Sequence, residues 1–162
     1  MLQNRFKKLL VPLDGSLNSI RGLNEAISLA RQCNSKIFGV HIVPIYPMNL
    51  LGVYDVYSLH LRKNGEHYIN RAKTSAARNG IDFQGKIIRG NETVRLIDEY
   101  AKSLKSDLIV IGSRGSGAPK EKFLGSVSLG LLSTSKIPIL VVKQDYLITD
   151  NKDMNLIFDS QN

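Results

Sequence analysis

Apolar positions along this chain fall into short continuous runs that alternate with stretches of helical spacing. Lys7 to Leu13 (KKLLVPL) is an apolar run closed by Asp14, Gly15 and Ser16, which predicts a buried strand ending in a turn. Ile20, Leu23, Ile27 and Ala30 then recur every three or four residues, the mark of a helix face. Lys36 to Val43 (KIFGVHIV) repeats the strand pattern, and Pro44 and Pro47 open an irregular stretch to about Tyr57. A second helix is expected from there to Asn79, with Gly80 as its C-cap and Gly65 as a weak point.

Phe83 to Gly90 (FQGKIIRG) alternates, as a more exposed strand does. Asn91 is expected to cap a third helix with Val94, Ile97, Ala101 and Leu104 on one face. Asp107 to Gly112 (DLIVIG) is a fourth apolar run, SVSLGLLSTS after Gly125 has the composition of a helix that Lys136 and Pro138 close, and Ile137 to Lys143 (IPILVVK) reads as a fifth strand. Strands alternating with helices imply a parallel sheet covered on both faces and linked by right-handed crossovers. The fold class is therefore α/β, an open parallel sheet of five strands, and the order expected for it is 3-2-1-4-5, Rossmann-like.

With 162 residues, 43% of them hydrophobic, the chain can bury one substantial core but not two. One domain over residues 1–144 and a C-terminal tail over 145–162 are expected, the tail being rich in Asp, Asn and Ser and so mobile or weakly docked. Leu156, Ile157 and Phe158 are the exception within it, a small apolar cluster that could dock on the fourth helix around Leu129. The lone Cys33 excludes an internal disulfide framework. Basic residues precede the first apolar run, but that run is only about five residues before Asp14, short of a signal-peptide core, and nothing reaches membrane-spanning length. A cytoplasmic protein is expected.

The net charge of +8 is concentrated in the body, because Asp145, Asp150, Asp153 and Asp159 face only Lys152 near the end. No aromatic-basic interleaving or zinc spacing accompanies it, so a solvated surface is favoured over a nucleic-acid partner. The same field favours small anionic ligands.

Candidate chemistry gathers between Ile111 and Ser128 (IGSRGSGAPKEKFLGSVS), where Gly112 and Gly115 are followed by Gly125 and Ser126. Glycines where a strand feeds a helix let backbone approach a ligand, and the helix N-terminus offers N–H donors and a positive dipole end, which together suit phosphate. In an open sheet of this order the ligand crevice lies at the carboxyl ends of strands one and four. Asp14 ends the first and the glycine loop ends the second, so a mononucleotide is the natural occupant.

Here the chain resembles the universal stress protein family. The segments that carry the resemblance are LVPLDGS, HIVP, DLIVIGSRG, LGSVS and IPILVVK, spanning about Lys7 to Lys143. The family's ATP-binding pattern is Gly, two residues, Gly, nine residues, Gly, then Ser or Thr, and it is complete here. The resemblance implies the adenine nucleotide alpha hydrolase-like variant of the fold and ATP or AMP as ligand, with any Mg²⁺ carried by the nucleotide. It places Pro12 and Asp14 at the ribose and adenine, the Ile42 backbone at the adenine edge, and Gly112, Ser113, Arg114 and Gly115 across ribose and phosphates. Gly125, Ser126, Val127 and Ser128 would then hold the phosphate oxygens, while Lys120 and Lys122 in the same loop are expected to be solvated side chains. The resemblance further implies a homodimer through the fifth strand, whose apolar edge would otherwise be exposed. Where the family usually has charged or polar residues after Ser-Val-Ser, this chain has Leu129 and Gly130.

Other chemistry is excluded by pattern. Gly-Ser-Arg-Gly-Ser-Gly has the wrong order for a dinucleotide loop, and no P-loop lysine sequence exists. His41 is expected to be packed or hydrogen-bonded, and His60 and His67 have no cysteine or carboxylate at metal-ligand spacing. No catalytic residue and no protein-bound metal are assigned. A ligand-dependent regulatory module leads, with a slow ATPase or a nucleotide-free interaction module as alternatives.

Overall fold

A computed structural model describes residues 5–46, 53–115 and 124–143, with the side chains of 53–58 left aside. The chain alternates β1 (Lys8–Pro12), α1 (Leu17–Cys33), β2 (Lys36–Val43), α2 (Val53–Arg78), β3 (Phe83–Arg89), α3 (Thr93–Leu104), β4 (Leu108–Gly112), α4 (Ser126–Thr134) and β5 (Ile139–Val142). The strands form one parallel sheet in the order β3-β2-β1-β4-β5. The Lys120 and Lys122 readings and the tail lie outside the described residues.

Successive residues of the central strands point to opposite faces, and both faces are covered. Leu9 and Val11 of β1 and Leu108 and Val110 of β4 pack with Leu23, Ile27 and Ala30 of α1 and Ala72 and Ala76 of α2. Leu10, Ile109 and Ile111 pack on the other side with Ile97 and Ala101 of α3 and Leu131 of α4. Strands buried on both faces read as unbroken apolar runs, and Leu10 and Ile109, both at 0% exposure, contribute about 1.5–3 kcal/mol each. Strands β3 and β5, at the two ends of the sheet, are the more exposed ones.

Local chemistry fixes the element ends. The Asp107 carboxylate accepts from the N–H groups of Lys7 and Lys8 at 2.8 Å each, setting the start of β4 beside that of β1. Helix α2 begins at Val53, earlier than the expected Tyr57, because no Gly or Pro follows Gly52 until Gly65. Gly65 lies inside it where an added Cβ would sit 2.5 Å from His41 Cδ2, so α2 crosses β2 closely there. Asn91 does not cap α3; the cap is Glu92, without a side-chain bond. Asn91 Oδ1 instead accepts from Ile45 N at 2.7 Å, tying the turn after β3 to the chain after β2. On α3, burial pushes the Asp98 carboxyl up. The hydrogen-bonding side chains of Lys102 and Ser135, with the Lys102 charge, outweigh that and hold it below its ordinary value.

Candidate functional site

The turn after β1 is built by short polar side chains. Leu13 N donates to Val40 O at 2.8 Å, tying the turn to β2. Asp14 Oδ1 accepts from Ser16 N at 3.0 Å and from Ser16 Oγ at 2.6 Å. Ser16 Oγ in turn caps α1 by accepting from Ser19 N at 3.1 Å. Gly15, at φ +79°, makes the reversal; that left-handed backbone is strained for residues with a Cβ. One oxygen of Asp14 thus shapes the turn. The other, Oδ2, lies where a Cβ on Gly115 would come within 2.7 Å, so the carboxylate sits against the loop after β4.

That loop is pinned from both sides. Ser113 N donates to Val142 O of β5 at 2.8 Å, and Gly125 N donates to Ser113 O at 2.8 Å. Ser128 Oγ donates to Gly112 O at 2.9 Å inside the structure. Helix α4 therefore starts at the end of β4. Its first backbone bond runs from Leu129 N to Gly125 O at 3.0 Å, which leaves the N–H groups of Ser126, Val127 and Ser128 without intrahelical acceptors. The dipole adds positive potential at the same place. Gly112 also has a packing role, because a Cβ there would overlap the carbonyl oxygen of Asn18 and come within 2.9 Å of its Cβ. Helix α1 approaches β4 this closely only with glycine at 112.

Between these loops lies a cleft of about 420 Å³. The structure brings to its wall Pro12, Asp14, Ile42, Gly112, Arg114, Gly115, Gly125, Ser126, Val127 and Ser128. Ser113 is not in the wall; at 2% exposure it lies beneath the loop, and its two backbone bonds hold that loop. Val40, Ile42, Ile97, Ile111 and Val127 give one part of the cleft an apolar surface, while Asp14, Arg114 and the first turn of α4 give the other a polar one. A flat heterocycle joined to an anionic group matches that division. Among the described residues, no group of three or more His, Cys, Asp or Glu could hold a metal ion.

Pattern reading missed Thr93 and Ile97, which also line the cleft. They come from the start of α3, and no local motif marks them; only the packing of α3 across the sheet brings them there. Val40 and Ile111 were legible as strand residues but not as wall. His41 lines the cleft too, and its Nδ1 lies 2.7 Å from Leu13 O. It is hydrogen-bonded, as expected for a lone strand histidine.

Comparison with known proteins agrees with this architecture. The chain is 31% identical over 148 residues to universal stress protein YxiE of Bacillus subtilis, covering 85% of this chain and 99% of that one. It is 28% identical over 145 residues to universal stress protein MJ0531 of Methanocaldococcus jannaschii, covering 88% and 85%. Among solved structures, hypothetical protein MJ0577 superposes with a TM-score of 0.80 at 22% identity, covering 88% of this chain and 99% of that one. A universal stress protein in complex with cAMP gives a TM-score of 0.67 at 24% identity, covering 85% and 97%. A family member from Arabidopsis thaliana with AMP bound gives 0.67 at 17%, covering 91% and 98%. A model of the universal stress protein family matches residues 5–143: the chain belongs to that family.

Proposed function

We propose that this protein binds an adenine nucleotide, ATP or AMP, in the cleft between the ends of β1 and β4 and works as a ligand-dependent regulatory module in the cytoplasm. The observation that carries the reading is the first turn of α4, whose N–H groups open beside an apolar wall and the Asp14 carboxylate in one cleft. The cAMP and AMP complexes of the two related proteins support the same ligand class.

In this reading the adenine lies against Pro12 and the apolar wall, with the Ile42 backbone at its edge, and Asp14 accepts from ribose hydroxyls. Gly112, Arg114 and Gly115 cross the ribose and phosphates, with Ser113 supporting them from beneath. Gly125, Ser126, Val127 and Ser128 donate to phosphate oxygens through backbone N–H groups. The Ser128 hydroxyl is already given to Gly112 O, so Ser126 supplies the hydroxyl contact. Mg²⁺ arrives with a triphosphate. A second copy pairs along β5, whose outer side meets no other strand among the described residues.

Hydrolysis is absent or slow. The ionisable side chains in the cleft wall among the described residues are Asp14, His41 and Arg114; one Asp14 oxygen and the His41 Nδ1 are engaged in holding the turn. Calorimetry with ATP and AMP, followed by a turnover assay, tests the reading. Saturable one-site binding with turnover well below about 1 per second is expected. No binding of either nucleotide refutes it, and turnover at ordinary enzyme rates that is lost in Ser126→Ala makes the protein an ATPase.

A further inference from the structure

The turn that carries Asp14 is held by two aromatic side chains, His41 in the cleft wall and Tyr68 of α2 outside it. His41 Nδ1 lies 2.7 Å from Leu13 O. A carbonyl only accepts, so Nδ1 carries the proton and the ring donates to the residue before Asp14. On the other side, the Tyr68 ring of α2 lies against Gly15, where any added Cβ would overlap it. The two rings meet edge to face at 5.4 Å and 73°, within the range in which such pairs attract. Gly65, one turn before Tyr68 on α2, leaves the space that the His41 ring fills. Leu13, Asp14 and Gly15 are thus fixed in sequence by His41, by Ser16 and by Tyr68. The bonds of Asp14 to Ser16 orient the carboxylate within its turn; the bracing rings set where that whole turn stands relative to Gly115.

Resting on the nucleotide reading above, we propose that His41 and Tyr68 are positioning residues for the ribose. They act through Leu13 and Gly15 to hold the Asp14 carboxylate at the distance from the β4 loop where it can accept from sugar hydroxyls. Helix α2, which contributes no residue to the cleft wall among those described, thereby sets how strongly the sugar is recognised. The consequence is selective. Loosening the brace weakens ligands that carry ribose hydroxyls and leaves those lacking them alone, because most of the apolar wall, Ile97, Ile111 and Val127, and the α4 N-terminus stand on elements other than β2 and α2.

The experiment compares AMP with 2′,3′-dideoxy-AMP by calorimetry on wild type, His41→Ala, His41→Asn, Tyr68→Leu and Tyr68→Phe, with circular dichroism to confirm folding. Wild type is expected to prefer AMP by about 10-fold or more, the worth of a hydrogen bond to a charged group. His41→Ala and Tyr68→Leu are expected to lose most of that preference by weakening AMP alone. Tyr68→Phe keeps the ring and His41→Asn keeps a donor near Leu13 O, so both are expected to retain it. If Tyr68→Leu does not fold, the His41 pair decides. Equal losses for both ligands, or a preference unchanged in His41→Ala, overturns the positioning role while leaving nucleotide binding intact. A wild type that binds neither ligand overturns the nucleotide reading, and this one with it.

Discussion

Two glycines of the loop after β4 separate fold from site. At Gly112 an added methyl overlaps the backbone carbonyl oxygen of Asn18, which cannot yield unless α1 moves off the sheet. Overpacking of that kind costs about 1–3 kcal/mol, a fall in Tm of about 2–12 °C for a chain of this size. At Gly115 the methyl would come 2.7 Å from Asp14 Oδ2, with Asp14 Cγ next at 3.8 Å. Only the Oδ2 of a side-chain carboxylate is in the way, and it can swing aside while Oδ1 keeps Ser16. Gly115 is exposed and its backbone is not left-handed, so Gly115→Ala is expected to stay within about 1 kcal/mol of wild-type stability. The displaced carboxylate, however, is expected to miss the ribose that Asp14 is proposed to hold. Losing a hydrogen bond to a charged acceptor is worth about 1.5–3 kcal/mol, an AMP affinity about 10- to 150-fold weaker. Thermal unfolding and calorimetry on both variants provide the check. The reasoning fails if Gly115→Ala melts as early as Gly112→Ala, or if it binds AMP as wild type does.

Further outcomes follow from the same geometry. Valine at Gly125 would bring its Cβ within 3.3 Å of Arg114 Cα and 3.4 Å of Gly115 N, parting the loop from α4; AMP binding should be lost while adenosine binding persists, and equal loss of both would contradict the phosphate assignment. The folded state holds the Asp98 carboxyl below its ordinary value, so its contribution is full above the unfolded carboxylate range and lost as pH falls through the lower folded value. The stability difference between wild type and Asp98→Asn, read by urea unfolding, should be constant above about pH 5 and shrink below about pH 4, and a difference that grows on acidification would refute the sign. A homodimer is expected by sedimentation at tens of micromolar, since β5 ends the sheet with Leu140 at 40% exposure; a monomer there contradicts pairing through that strand.

How much of this was legible depended on how local each signal was. The strands β1, β2 and β4 were plain because burial on both faces removes polar residues from them, and alternation with helices made the sheet parallel without by itself selecting the order 3-2-1-4-5. Asp14 and the loop glycines were legible because each ends a strand at the point where the sheet order reverses. Thr93 and Ile97 were not, since the packing of α3 across the sheet has no mark in neighbouring residues. Asn91 read as a cap because its side chain suits one, yet a long-range bond to Ile45 N claims it. Gly112 read as a ligand contact, and its other duty, the approach of Asn18 on α1, is visible only in three dimensions. A packed or hydrogen-bonded His41 was legible and the hydrogen bond is there, but its hold on Leu13 depends on the β1–β2 register.

Adenine-nucleotide binding at the β1–β4 cleft is tested most directly by titrating AMP into isotope-labelled protein and following backbone amide resonances. Saturable shifts should centre on Ile42, Gly115, Ser126, Val127 and Ser128, with the α1–α2 side of the sheet unmoved. Shifts centred on that other face, or none at millimolar AMP, would contradict it.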